Sequence, residues 1–153
     1  MSDAQQPVFN IEKLYVKDLS VEVPNAPAIY LEREAPKIDI NMSTDSHALG
    51  DDVYDTTITV TITAKVGDKS MFLVECTQGG VFRIQNVPQD QIPMVLGIGC
   101  PNIVFPYLRE TVSDVVIRAG FPPLLLNPVN FEALYQQQQQ AQQQQAAPAQ
   151  QTH

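Results

Sequence analysis

Apolar and polar side chains alternate with a period of two through the first half of this chain, the pattern of half-buried strands. From Val8 to Val23 the stretch is strand-like, most clearly where Leu19, Val21 and Val23 alternate with Asp18, Ser20 and Glu22. PNAP at 24–27 breaks the pattern and opens a crossing loop. Alternation resumes in KIDINMS at 37–43, with Ile38, Ile40 and Met42 on one face and Asp39 and Asn41 on the other. STDSHALGDD then reads as a turn carrying Asp45 and His47, and LGDDVYD leads into the cleanest strand, TTITVTITAKV. There Ile58, Val60, Ile62 and Ala64 oppose four threonines, and β-branched residues suit a pleated surface. GDKS at 67–70 is a hairpin signal. A fourth strand is expected from Met71 to Cys76, resuming after QGG at Val81–Ile84.

After Pro88 the period changes. Leu108, Val112, Val115, Val116 and Ala119 recur at the spacing of one helical face, with Asn102 as the expected cap and Gly120 as the stop. Residues 89–99 are expected to form a separate helical turn, interrupted by Gly97 and Gly99. Asn130 is placed to cap a short final helix with Phe131, Leu134 and Tyr135 on one side. Between the two helices runs FPPLLLNPVNF, residues 121–131, whose three prolines exclude a regular helix or a central strand. The fold class is therefore α+β: a four-stranded antiparallel sheet with one long and one short C-terminal helix. A single long helix covers one sheet face only, so the remaining apolar surface and strand edges call for another chain, with the sheet edge and the helix as seams.

Length and composition narrow the reading further. A chain of 153 residues supports one domain, burying roughly 70 % of the surface its unfolded form exposes. Residues 1–8 are expected to be a flexible start, 9–135 the domain, and 136–153 a disordered tail in which eleven of the sixteen residues from Gln136 to Gln151 are glutamine. No membrane span and no secretory signal are expected, and two cysteines, Cys76 and Cys100, suit a reducing cytoplasm. Net charge −8 argues against nucleic acid, and its distribution is uneven: residues 1–55 hold eleven acids and four bases, the remainder six acids and five bases. The N-terminal third thus carries a local acidic face.

Catalytic chemistry finds no constellation here. The histidines are His47, in the expected turn, and His153, at the end of the tail. Cys76 reads as a buried strand residue; Cys100, before Pro101 at a helix start, is placed where a thiol pKa can be lowered, but it has no partner histidine. DDVYD lacks the glycine and closing glutamate of a calcium loop. No metal or cofactor is expected, and the chain is not read as an enzyme. Binding remains, and composition leaves open whether this is a chaperone or adaptor that holds extended chains, or a structural oligomerisation module without client-holding activity.

Five stretches bear on that choice: FNIEKLYVKDLSVEVPNAP, DDVYD, FLVECTQGGVFRI, CPNIVFPYLRE and FPPLLLNPVNFEALY. In this order they closely resemble the bacterial protein-export chaperones of the SecB family, from about Phe9 to Tyr135. The resemblance implies assembly as a dimer of dimers, a homotetramer in the cytoplasm. It also implies ATP-independent holding of unfolded precursor proteins and their delivery to the translocase motor SecA, without direct membrane insertion. It places the docking face for the zinc-binding C-terminal element of SecA at Asp18, Glu22, Leu73 and Glu75. It matches Ile38, Ile40 and Met42 to a row in the client-binding groove, with Phe121, Leu125, Phe131 and Tyr135 as the expected other wall, and it marks Val74, Cys76 and Gln78 as sensitive for oligomerisation. At least one of Leu124, Leu125 and Leu126 is expected to be core.

Overall fold

The computed structural model describes residues 5–146. Four long antiparallel strands, β1 (Val8–Glu22), β2 (Lys37–Gly50), β3 (Val53–Val66) and β4 (Lys69–Gln85), form one sheet in the order β1-β4-β3-β2. β1 and β2, neighbours in sequence, therefore lie on opposite edges. The connection between them makes a short 3-10 turn at Ala28–Leu31, which buries Ile29. It is anchored at both ends: the Asn25 amide donates to the Ser70 carbonyl at 2.9 Å, and the Tyr30 hydroxyl to the Ala119 carbonyl at 2.7 Å.

Two strands are longer than their sequence pattern predicts. β2 continues through the expected turn, so that His47 is a strand residue paired with Asp55, and Gly50–Asp52 alone reverse the chain with positive φ. β4 does not break at QGG but runs on through Gly79 and Gly80. The two glycines serve close approach from both sides. A Cβ on Gly79 would stand 2.7 Å from the Tyr15 hydroxyl, and one on Gly80 would stand 3.1 Å from Cγ2 of Val104.

The helical part is one run. A 3-10 turn (Gln89–Gln91), α1 (Ile92–Met94) and a π-helical turn (Val95–Gly99) lead without interruption into α2 (Cys100–Arg118). Gly97 and Gly99 loosen the run into a π turn but do not end it, so Asn102 lies inside the helix and caps nothing. Gly120, at φ 95°, ends it as expected. Val104, Leu108, Val112 and Val116 are fully buried against Ile58, Val60, Ile62, Val74, Cys76 and Phe82 of the central strands. A window within Gln89–Arg118 reaches a mean hydropathy of 1.3 and passes for a membrane span by length and composition, contrary to expectation. Its apolarity has a packing cause: one side is core, while on the other Met94, Val95, Ile98 and Ile103 line a depression of about 420 Å³ with Phe9.

α3 (Phe131–Ala146) is capped as expected, the Asn130 side chain accepting from the Ala133 amide at 2.9 Å. It runs well into the glutamines that were expected to be disordered. Glutamine is a good helix former, and adding residues to an existing helix needs no new nucleus. Residues 147–153, with His153, lie outside the described residues, as do 1–4 of the expected flexible start; Val8 already belongs to β1.

Because Val112 and Val116 are fully buried within the chain, they cannot form the seam between subunits. Val116→Asp is therefore expected to lower unfolding stability by about 3 kcal/mol or more, the cost of an unpaired buried carboxylate. A urea titration followed by circular dichroism checks this.

Candidate binding surfaces on the two faces of the sheet

Pairing across the sheet sorts the side chains of β1 and β4 between two faces. β1 carries two irregularities, between Ile11 and Lys13 and between Val16 and Asp18. At the second, Val16 and Asp18 pair with the consecutive residues Gln78 and Thr77, and Lys17 is looped out. Beyond it Asp18 lies opposite Thr77, Ser20 opposite Glu75, and Glu22 opposite Leu73. Directly paired residues point to the same side. Asp18, Glu22, Leu73 and Glu75 therefore share the face away from α2. The three acids are exposed and Leu73 is half-buried among them. All four residues expected in an acidic docking face are thus brought together as one patch.

The opposite face of β4 holds Val74, Cys76 and Gln78, each less than 5 % exposed beneath α2. The Gln78 side chain accepts from the Thr111 hydroxyl of α2 at 3.3 Å. These residues are covered by the helix of their own chain and do not form an open surface.

On the same side, β2 presents Ile38 and Ile40, 40 % and 45 % exposed, and the partly buried Met42. The expected second wall is divided by the structure into separate places. Phe121 faces Ile38 across a cleft of about 520 Å³, with Tyr30, Pro36, Phe72 and Leu124 around it. Its ring centroid lies 5.3 Å from that of Tyr30 and 5.1 Å from that of Phe72. Tyr135 lies by Met42 at the other end of the row, its ring against Gly97. Phe131 is 2 % exposed and packs edge-on against Phe105, which makes it a core residue and not an open wall. Leu125, 72 % exposed, lies beside Ile117 and Pro106 of α2, away from this cleft. Of the three leucines Leu126 is core, as expected of at least one.

Tyr30, Pro36 and Phe72 were missed from sequence. The crossing loop after PNAP was recognised, but nothing local says that a loop 89 residues before Ala119 docks against it. Tyr30 departs from no pattern on which it could have been noticed.

Neither cysteine is an activated nucleophile. Cys100 is not at a helix start, since Gly99 before it is already helical, and it is fully buried. Burial pushes its thiol up to about 12, against a hydrogen bond with Thr56 that works the other way. Burial, with the Asp18 carboxylate adding to it, pushes Cys76 up to about 11. Among the described residues no three His, Cys, Asp or Glu side chains gather as a metal site.

The geometry is that of an α+β protein with an apolar cleft and strip on one face of its sheet and a carboxylate patch on the other. Comparison with known proteins gives the class its family. Residues 2–142 match the model of the preprotein translocase subunit SecB. The protein-export protein SecB of Thiobacillus denitrificans is 84 % identical over 153 residues, covering all of both chains. That of Nitrosospira multiformis is 61 % identical over 149 residues, 97 % of this chain and 94 % of its own. Among solved structures, the SecB-like chaperone Rv1957 of Mycobacterium tuberculosis, in complex with a ChAD peptide from the HigA1 antitoxin, shares the fold. Its TM-score is 0.64 at 16 % identity, over 79 % of this chain and 90 % of that one. The chain belongs to the SecB family of protein-export chaperones.

Both thiols are held protonated above their ordinary value of 9.0. Their contribution to stability is full below about pH 9 and is lost as pH rises toward 11 and 12, because the unfolded chain releases those protons first. Ellman's reagent at pH 8 is expected to label neither cysteine until the protein unfolds.

Proposed function

We propose that the chain holds unfolded precursor proteins along the Ile38–Ile40–Met42 strip and the aromatic cleft at its end, and hands them to SecA through the opposite face. The observation that carries the reading is the separation of the two surfaces by the thickness of the sheet, which lets client and translocase be engaged together. The strip spans about 13 Å along β2 at the usual rise per residue, enough for several side chains of an extended peptide. Apolar burial contributes about 25 cal/mol per Å², so shallow contacts add up without a sequence motif. No nucleotide enters this scheme, and the holding step proceeds without ATP in the cytoplasm. The peptide carried by the SecB-like chaperone of M. tuberculosis is consistent with such a role, though the likeness to it is one of fold.

The working form is a homotetramer, a dimer of dimers. Support comes from what one chain leaves bare. β1 is a fifteen-residue edge strand. On its helix side Phe9, Ile11, Val16, Leu19 and Val21 are all at least 37 % exposed. Such an edge invites pairing or cover. Tyr107 and Ile117 on the outer side of α2 offer a second seam between dimers, 43 % and 52 % exposed.

Ile38→Ser, Ile40→Ser and Met42→Ser combined are expected to remove most suppression of aggregation of a slowly refolding protein, with the sedimenting mass still that of four chains. Retained suppression would place the clients elsewhere. For the other face, Glu75→Lys is expected to abolish binding of purified SecA while client holding persists. Wild-type affinity should fall as salt is raised, since exposed charges steer a basic partner and are screened. A titration at two salt concentrations reads both effects.

A further inference from the structure

The acidic patch depends on which way β1 faces, and the pattern of its residues does not decide that by simple alternation. Tyr15 pairs with Gly79 and so lies on the outer face. Strict alternation from Tyr15 would put Lys17, Leu19 and Val21 beside it and turn Asp18 and Glu22 under the helix side. The looped-out Lys17 reverses this: one extra residue shifts the parity of everything after it.

What fixes the strand just ahead of that irregularity is Tyr15. Its ring lies on Gly79, where a Cβ would stand 2.7 Å from ring atom Cε1. Its hydroxyl reaches over β4 and donates to Oδ1 of Asp55 on β3 at 2.6 Å. Asp55 and Thr57, although on the outer face, are buried at 9 % and 8 % exposure. Among the described residues this is the side-chain hydrogen bond that joins edge strand β1 to β3, two strands away. Burial and the Asp55 carboxylate push the phenol up to about 12, so the hydroxyl keeps its proton and remains a donor even above its ordinary value of 10.0.

We infer that Tyr15, seated on Gly79 and bonded to Asp55, is the positioning residue of the docking face. It anchors β1 immediately before the looped-out Lys17, so that Asp18 and Glu22, and not Leu19 and Val21, stand beside Leu73 and Glu75. The inference rests on the reading of that patch as the SecA-docking face, but its first readout needs no partner.

Hydrogen exchange is measured on the assembled wild type and on Tyr15→Phe, Gly79→Ala, Asp55→Ala and Asp55→Asn, followed by titration with purified SecA. Tyr15→Phe, which keeps the ring and loses the bond, is expected to speed exchange of the protected amides in 14–22 by about ten-fold, the size of one lost hydrogen bond. Gly79→Ala, which displaces the ring, does the same or more. Protection of α2 and suppression of client aggregation stay as in the wild type, which global destabilisation would not allow. SecA affinity falls with the β1 protection, and Asp55→Asn, which keeps an acceptor, restores most of both relative to Asp55→Ala. Two deletions read the parity itself: removing Lys17 leaves every face unchanged and retains SecA binding, whereas removing the paired Ser20 inverts the strand end and loses it. Wild-type exchange of β1 in Tyr15→Phe, or loss of SecA binding on Lys17 deletion as complete as on Ser20 deletion, overturns the inference. Faster β1 exchange together with a wild type that fails to bind SecA overturns the docking reading instead and leaves Tyr15 as the anchor of β1.

Discussion

The packing of α2 on the two central strands is the contact on which the rest of this molecule depends. Val104, Leu108, Val112 and Val116 meet β3 and β4 in a layer with almost no exposed atom. A helix about 10 Å across cannot cover a sheet of four strands spaced about 4.8 Å apart. The strands it covers become the core, and both edge strands keep apolar side chains in reach of solvent. The edge residues Ile38 and Ile40 on one side and Leu19 and Val21 on the other are exposed for this single reason.

A protein that needs reachable apolar surface can use that shortfall. Along β2 the uncovered row meets a wall made by the crossing loop and the segment after α2, with the Phe121 ring in contact with those of Tyr30 and Phe72. The prolines at 122 and 123 deny that segment the backbone donors for strand pairing, so its apolar side chains stay in a loop at the rim. Along β1 the same shortfall leaves a second exposed apolar row. The outer face follows a different rule: with no helix over it, it is polar along β3 from Asp55 to Thr63, where Thr59 bonds Thr77 of β4 at 2.9 Å, and acidic where β1 joins β4.

How much of this was legible beforehand depended on the range of the cause. Strand and helix identities, the Asn130 cap, the Gly120 stop and the closeness of Leu73 to Glu75 follow from neighbours a few residues apart, and each is found as read. The errors share one origin. Gly79, Gly97 and Gly99 were read as interruptions because glycine weakens isolated elements, yet in the fold they admit Tyr15 and Tyr135 and let the helical run continue through a π turn. His47 was read into a turn on its polar neighbours, although pairing with β3 extends the strand past it. The family resemblance supplied site residues that periodicity could not, yet it did not separate Phe131, which is core, from Phe121, which lines the cleft.

The sequence by itself determined the elements, the acidic bias of the first 55 residues and the surplus of apolar side chains in loops, because period, charge and proline content are properties of adjacent residues. Only the tertiary structure decided which of the alternating faces lies under α2 and how the two parts of β1, before and after Lys17, are set relative to one another. One looped-out residue in β1 breaks the alternation between Val16 and Asp18, and the contact just ahead of it joins Tyr15, Gly79 and Asp55, from three different strands. Such a contact has no signature in any single segment, since its energy is realised only when all three strands are already side by side.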